Sequence, residues 1–183
     1  MATLPNTKTV SYEEWLRMPE TKGEEVVNGE IRQMPAPTWD HGEIIQMLAR
    51  QFWRQVDDRD VKVRIAEFDL VIRRTPLSVR VPDMAVFQKA TIIERDGRIH
   101  SAPQLVVEVH SPANIRWKRE EKHSDYAALG IPEAWIVWQD KRAIEVFYLE
   151  DGELRRHALL TNGILKPLHF PDVQIDIAQI WPD

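Results

Sequence analysis

The apolar residues of one long segment recur with a helical period. Behind Asp40 and Glu43, a possible capping box, these residues fall on one helix face: Ile44, Ile45, Leu48, Phe52 and Val56. This spacing predicts an amphipathic helix. A short helix is predicted after Ser11, where Glu14 completes another capping box, and a third over Ile115–Leu129.

Three central segments have the patterns of strands. Val61–Ile72 alternates apolar and charged residues, which predicts one half-buried strand. Val79–Phe87 is predicted to be a second strand, broken near its start by Pro82. Gln104–His110 (QLVVEVH) is almost continuously apolar, as expected for a strand that is covered on both faces.

Two turn signals complete the outline. Asn28-Gly29 divides Glu24–Met34 into a predicted hairpin, and Asp151-Gly152 predicts another. Further strands are predicted over Ala134–Trp138, Ile144–Leu149 and Glu153–Leu160. The order of elements indicates an α/β fold, a mixed β-sheet flanked by helices with additional C-terminal antiparallel strands. We expect one domain over residues 11–181, preceded by a tail at 1–10.

The composition of the chain argues against several classes of protein. The chain has 183 residues, 43% of them hydrophobic, and no cysteine, which excludes disulfides and thiolate metal sites. No apolar run approaches the ~20 residues of a membrane span, and the N-terminus lacks a signal-peptide core, so we expect a cytoplasmic protein. The net charge of −5 argues against a protein that coats DNA with its whole surface.

The main chemical candidates are two carboxylates and a lysine. Glu108 interrupts an apolar strand, and burying its charge requires a partner or a metal; a structural ion pair is the alternative. Asp83 opens a strand that can lie beside that of Glu108, and a divalent cation would offset the repulsion between them. Taken alone, Asp83 would be a turn residue. Lys122 shares a helix face with Lys118 and Tyr126, and could orient or deprotonate water, or be a solvated lysine.

Other polar residues have weaker patterns. Glu25 precedes two valines and is expected to be partly buried, and His41 lies at a helix start, where it is either a ligand contact or a surface residue. A basic stripe that could take phosphates, or be a solvated face, comprises Arg116, Lys118, Arg119 and His123. A metal site at Glu108, His110 and His123 fits no strong ligand spacing. Glycine-rich phosphate loops and the GxSxG and HExxH patterns are absent.

Taken together, several segments resemble a bacterial family of restriction-endonuclease-like proteins, abundant in cyanobacteria, within the PD-(D/E)XK nuclease superfamily. The resemblance covers nearly the whole chain from Ser11. The segments follow in family order: SYEEWLRMPE, EEVVNGEIRQMPAPTWDHGEI, VRVPDMAVF, PQLVVEVHSP, KREEKHSDYAALGIPEAWIV and IEVFYLEDGEL.

The resemblance implies roles for individual residues. Asp83 matches the aspartate of the PD motif and Glu108 its (D/E) position. The family's lysine has moved to the following helix, where Lys122 matches. Glu25 matches an early acidic residue and becomes an additional metal ligand, and His41 matches a histidine after a proline-rich loop.

Three positions depart from the family pattern: Glu24, His110 and Trp138. His110 stands where an aliphatic residue is usual and lies on the Glu108 side of its strand, so it is a possible accessory residue.

These observations predict a Mg²⁺- or Mn²⁺-dependent phosphodiesterase that cleaves DNA, with Asp83, Glu108 and Lys122 as the catalytic residues. One alternative is a non-catalytic module of the same fold that binds nucleic acid or a protein. Another is a metal-dependent enzyme with a different substrate. Exposed edge strands, the tryptophans and the resemblance predict a homodimer.

Overall fold

The computed structural model describes residues 9–19, 23–66, 68–110 and 116–182, and for 116–119 only the backbone. Its α-helices are α1 (Tyr12–Leu16), α2 (Trp39–Trp53) and α3 (Arg116–Leu129), and two short 3-10 helices lie at Lys89–Thr91 and Ile177–Gln179. Its strands are β1 (Glu24–Val27), β2 (Glu30–Gln33), β3 (Val61–Ile65), β4 (Leu70–Arg74), β5 (Leu77–Arg80), β6 (Met84–Gln88), β7 (Glu94–Arg95), β8 (Arg98–Ile99), β9 (Leu105–His110), β10 (Glu133–Trp138), β11 (Ala143–Glu150), β12 (Glu153–Leu160), β13 (Ile164–Leu165) and β14 (Ile175–Asp176).

The strands of the described residues form two larger sheets and one small one. The main sheet has the order β12-β11-β10-β9-β6-β3, and the second sheet has the order β2-β1-β5-β4-β8-β7. In the main sheet β9 and β10 are parallel, joined through α3, and the other pairs are antiparallel. The pair β13-β14 is antiparallel. The predicted mixed α/β architecture with C-terminal antiparallel strands is confirmed.

Alternate residues of the main sheet pack into different cores. Val107 of β9 and Met84 of β6 join the core that contains the apolar face of α2. On the opposite face of the sheet, Val106 packs in the core that contains Tyr126 of α3. Successive residues of a strand point to opposite faces, so Glu108 lies on the same face as Val106, the one covered by α3.

Two strand predictions were wrong in extent. Val61–Ile72 is not one strand, because Ala66 has a φ of +36° and ends β3, after which β4 enters the second sheet. The break near Pro82 likewise separates β5 and β6 into different sheets. At both breaks the chain passes from one sheet to the other. The alternation of apolar and polar residues within a strand does not show to which sheet the strand belongs.

The capping residues were predicted in part. Ser11 and Glu14 form the capping box of α1. The predicted box of Asp40 and Glu43 was wrong: the N-cap of α2 is Thr38, two residues before Asp40, and its side chain accepts a hydrogen bond from His41 N. No helix of the described residues is long and apolar enough to span a membrane. The single domain over 11–181 stays a prediction.

Candidate active site

The pairing of β6 with β9 brings Asp83 and Glu108 together. Their antiparallel register pairs Met84 with Val107, so Asp83 and Glu108 occupy the next opposed position beyond that pair. The side chain of Asp83 is anchored to the neighbouring strand, because its Oδ2 accepts a hydrogen bond of 2.7 Å from Val109 N. Two carboxylates predicted from separate segments therefore lie at one place.

His41 fixes Asp83 from a second direction. Its Nε2 lies 3.1 Å from Asp83 Oδ2, which places the two groups in hydrogen-bonding contact. The start of α2 sets this position, since Thr38 caps the helix and His41 lies in its first turn. His41 is thus brought to the candidate site rather than left on the surface.

Glu108 is held by two residues of α3. Lys122 Nζ donates a hydrogen bond of 2.9 Å to Glu108 Oε2, and the hydroxyl of Tyr126 donates another to Oε1. Lys122 and Tyr126 are four residues apart and so project from the same face of the helix. Glu108 is only 4% exposed, which makes these two donors essential to its burial.

Glu25 reaches the same lysine from the second sheet. Its Oε1 lies 3.1 Å from Lys122 Nζ and accepts a hydrogen bond of 3.2 Å from Val81 N. Its Oε2 accepts a hydrogen bond of 2.9 Å from Arg80 Nη1. Glu25 therefore positions Lys122 and Arg80 in this arrangement, and its predicted role as a metal ligand stays a prediction.

A buried ion pair supports this side of the site. Arg80, 3% exposed, donates from Nε to Asp125 Oδ2 at 2.7 Å while its Nη1 contacts Glu25. Arg73 Nη1 binds the other oxygen of Asp125 at 2.8 Å. Sequence reasoning missed Arg80 and Asp125. A signal existed, because Arg80 follows apolar β5 residues and Asp125 lies about one helical turn after Lys122.

Residues 11–178 match the sequence model of the Uma2 family, described as "Putative restriction endonuclease". The chain belongs to this family. A solved structure with a similar fold is titled a "putative nuclease belonging to DUF820" from Anabaena variabilis; the match has a TM-score of 0.76 and 21% sequence identity, and covers 93% of this chain and 97% of that one. No curated protein matches the chain. The predicted resemblance is confirmed by the family match, and the predicted fold by the structural match.

The two central carboxylates of this Uma2 protein differ in acidity. Burial raises the pKa of Glu108 to about 7; Asp83 and Glu25 add to the rise, while Lys122 and Tyr126 oppose it. Burial also acts to raise the pKa of Asp83, but His41, Lys122 and Val109 N outweigh it and the pKa is lowered. Asp83 is therefore ionised at neutral pH, whereas Glu108 can exchange a proton there.

The pKa values of the two basic groups, Lys122 and His41, are both raised. Burial acts to lower the pKa of Lys122, but Glu108, Glu25 and Asp83 outweigh it and the pKa is raised. Burial acts to lower the pKa of His41 too, but the hydrogen bond to Asp83 and the charges of Asp83 and Glu108 together outweigh it, so the pKa is raised. A lysine with a raised pKa is a fixed positive charge and a poor proton acceptor. Of the two roles predicted for Lys122, orienting fits this environment and deprotonating water does not.

The donor set of Asp83 and Glu108 fits a hard divalent cation, which prefers carboxylate oxygens. Asp83 Oδ1 accepts no hydrogen bond from the described residues, while Oδ2 holds His41 and Val109 N. The repulsion from Asp83 that adds to the rise in the pKa of Glu108 is the kind that a cation relieves. Within the described residues no three or more acidic or histidine side chains cluster as a metal site.

The remaining predicted residues make other contacts or lie outside the described part of the chain. His110 is buried on the Glu108 face of β9, with its ring 5.4 Å from that of Trp138. The side chains of Arg116, Lys118 and Arg119 lie outside what the structure describes, so their binding of phosphates stays a prediction.

Proposed function

We propose that this protein is a Mg²⁺- or Mn²⁺-dependent nuclease that hydrolyses phosphodiester bonds in DNA. The observation that carries the proposal is the meeting of Asp83 and Glu108 across β6 and β9, with the ammonium of Lys122 on Glu108. Its family, described as "Putative restriction endonuclease", agrees with this chemistry.

Asp83 and Glu108 would hold the cation. When bound, such an ion polarises a phosphoryl oxygen and lowers the pKa of a bound water. Asp83 is suited to the task because His41 and Val109 N fix one of its oxygens and leave the other available. Glu108 would have to be ionised, so we expect tighter metal binding above its pKa of about 7 than below it.

Lys122 would supply a fixed charge beside the reacting phosphate. Glu25 holds its ammonium at 3.1 Å and Glu108 holds it at 2.9 Å, which limits its movement. A cation held in place stabilises the negative charge of a phosphoryl transition state without reorganisation. Tyr126 supports this arrangement by its hydrogen bond to Glu108, and Arg80 by its hydrogen bond to Glu25. Neither residue need contact the substrate.

Calorimetric titration with Mn²⁺ and Mg²⁺ tests the metal site, and cleavage of labelled DNA tests the activity. The variants are Asp83→Asn/Glu108→Gln and, as a control with the same charge change, Glu150→Gln/Asp151→Asn on the exposed β11-β12 hairpin. We expect wild type and the control to bind metal and cut DNA, and the site variant to do neither. Cleavage by the site variant at the wild-type rate would overturn the assignment.

A second candidate function is a non-catalytic module that uses the same fold to bind nucleic acid or a protein. It is favoured by the fact that Lys122 and Tyr126 occupy both oxygens of Glu108. A wild-type protein that binds DNA, but neither binds metal nor cleaves in its presence, would support this candidate. Metal binding without any affinity for DNA would instead point to a different substrate. The homodimer and the cytoplasmic location remain predictions; sedimentation tests the first.

A further inference from the structure

A groove lies along the free edge of the main sheet, away from the carboxylates. Its volume is about 260 Å³, and three of its lining residues are basic: Lys62 and Arg64 of β3, and Lys89 just after β6. Its floor is apolar, formed by Phe87, Ile92 and Ile99. We call this the β3 groove. The groove thus combines three basic side chains with an apolar floor.

The β3 groove opens on the same sheet face as the candidate active site. The register of β3 and β6 pairs Arg64 with Ala85 and Lys62 with Phe87, and directly opposed residues share a face. Asp83 lies two residues before Ala85 and thus belongs to that face as well. The ladder extends to Asp83 itself, because Ala66 N donates a hydrogen bond of 2.9 Å to Asp83 O.

The cations are therefore spaced along a line that begins at Asp83. At about 3.3 Å per residue, the position of Arg64 lies about 7 Å along the strand from Asp83, and that of Lys62 about 13 Å. The step from Arg64 to Lys62 is on the scale of the separation of successive phosphates in an extended polynucleotide strand. Such a row of cations suits a linear polyanion better than a compact ligand.

The cations of β3 are available to a ligand as far as the described residues go. Neither Lys62 nor Arg64 forms an ion pair with any of the residues that the structure describes, and Arg64 is exposed. By contrast, Arg80 and Arg98 are paired with carboxylates. The carboxylate of Glu94 also lines the groove and would keep phosphates on the β3 side. Within the apolar floor, Ile92 and Ile99 are partly exposed and can contact the sugars of the same strand.

We propose that the β3 groove binds the phosphate backbone of the nucleic-acid strand whose scissile bond lies at Asp83 and Glu108. Only the second half of this statement rests on the proposed function; the binding of a strand in the groove does not. Phosphate contacts of this kind give affinity and register without reading sequence. The groove would thus hold the strand a short way along from the cleaved bond.

Fluorescence anisotropy with labelled single-stranded and duplex oligonucleotides, in EDTA, measures binding without catalysis. The test variant is Lys62→Ala/Arg64→Ala. The control is Arg155→Ala/Arg156→Ala, which removes the same charge from β12, the opposite edge of the main sheet. Lys62→Arg/Arg64→Lys keeps the charges and serves as the rescue variant. Circular dichroism confirms that each variant folds.

We expect the test variant to bind about tenfold more weakly at about 0.1 M salt, with the slope of log K against log salt reduced by about 1.4 for single strands or about 1.8 for duplexes. The control and rescue variants should bind as wild type does. Equal binding by the test variant and wild type would overturn the proposal. So would equal losses in the test and control variants, which would indicate general electrostatics.

The Asp83→Asn/Glu108→Gln variant separates the two proposals. If the β3 groove binds the strand, this variant should bind oligonucleotides in EDTA at least as tightly as wild type does, whether or not wild type cleaves DNA. If wild type cleaves DNA but the β3 substitutions do not change binding, the proposed function stands and the proposed role of the β3 groove is refuted. If binding depends on the β3 groove but wild type does not cleave DNA, the groove proposal stands and the proposed function falls.

Discussion

Lys122 of α3 donates a hydrogen bond of 2.9 Å to Glu108 of β9, fourteen residues earlier in the chain. The same ammonium lies 3.1 Å from Glu25 of β1. Because β9 belongs to the main sheet and β1 to the second sheet, Lys122 joins a carboxylate from each. The lysine is therefore a structural link as well as a candidate catalytic residue.

Replacing Lys122 with methionine should destabilise the protein by about 3 kcal/mol, because it leaves Glu108 without its cation and Glu25 with Arg80 as its remaining one. Glu25 and Glu108 are both nearly buried, so water cannot replace the lost charge. Urea unfolding measures the effect, with Lys166→Met at an exposed position as the control. Equal unfolding midpoints for the two variants would show that the ammonium does not support the fold. We also expect Lys122→Met to lose any cleavage activity.

Tyr126→Phe should cost about 1–3 kcal/mol, since it removes one hydrogen-bond donor from a buried carboxylate. The ring of Tyr126 is fully buried and its hydroxyl binds Glu108 Oε1, so phenylalanine keeps the packing and loses only that bond. Tyr148→Phe is the matched control, because the Tyr148 hydroxyl binds no described residue. Thermal unfolding should separate the two variants; if both melt together, the Tyr126 hydrogen bond contributes nothing to stability.

The sequence predicted that Asp83, Glu108 and Lys122 would lie together, and the structure brings them together, while their roles stay predictions. Glu108 interrupts an apolar strand, and Asp83 immediately precedes the strand that pairs with it. Helical spacing places Lys122 and Tyr126 on one face of α3, but it was the family resemblance that assigned a role to Lys122. For Glu108 one local pattern carries the information, whereas Asp83 and Lys122 stand out only in combination with it and through the family resemblance. The register of β6 and β9 then brings the two carboxylates together.

Other features depend on contacts that no local pattern encodes. The ion pair of Arg80 with Asp125 joins residues 45 positions apart, on β5 and α3. The end of β3 at Ala66 reflects a change of sheet rather than any helix- or strand-breaking residue. The cations of the β3 groove resemble ordinary surface residues until β3 is known to be an edge strand beside β6.

Arg80→Lys should destabilise the protein by about 3 kcal/mol or more. The guanidinium of Arg80 binds Glu25 through Nη1 and Asp125 through Nε, and an ammonium cannot reproduce this fork. Arg59→Lys is the control, since Arg59 also pairs with a carboxylate, that of Asp57, but its own side chain is 87% exposed. Chemical denaturation should show a clear loss for Arg80→Lys and no measurable change for Arg59→Lys. If Arg80→Lys were as stable as wild type, a positive charge at this position would be sufficient and the shape of the guanidinium would not matter.

Glu133 gives the protein a pH-dependent stability that is separate from the candidate site. Its side chain is fully buried on β10, and its two oxygens accept hydrogen bonds of 2.7 Å from Trp135 Nε1 and from Leu168 N. Burial raises the pKa of Glu133 from 4.5 to about 7, although these two hydrogen bonds oppose the rise. The folded protein thus keeps a proton that the unfolded chain releases.

This difference in pKa fixes the sign of the effect. Between pH 4.5 and about 7 the folded state binds more protons at Glu133 than the unfolded state does, so the free energy of unfolding falls as pH rises. The slope from this one group is at most about 1.4 kcal/mol per pH unit. The stabilisation is fully present below pH 4.5 and lost as pH rises through about 7.

Glu133→Gln should remove this contribution, because glutamine has no proton to exchange in that range. The amide cannot accept both hydrogen bonds, so we also expect a pH-independent loss of about 1 kcal/mol. Urea unfolding between about pH 5 and 8, of wild type, Glu133→Gln and the exposed control Glu153→Gln, measures both effects. The advantage of wild type over Glu133→Gln should shrink steadily with rising pH. Parallel curves would show that Glu133 stays ionised in its buried position, held by the Trp135 and Leu168 hydrogen bonds.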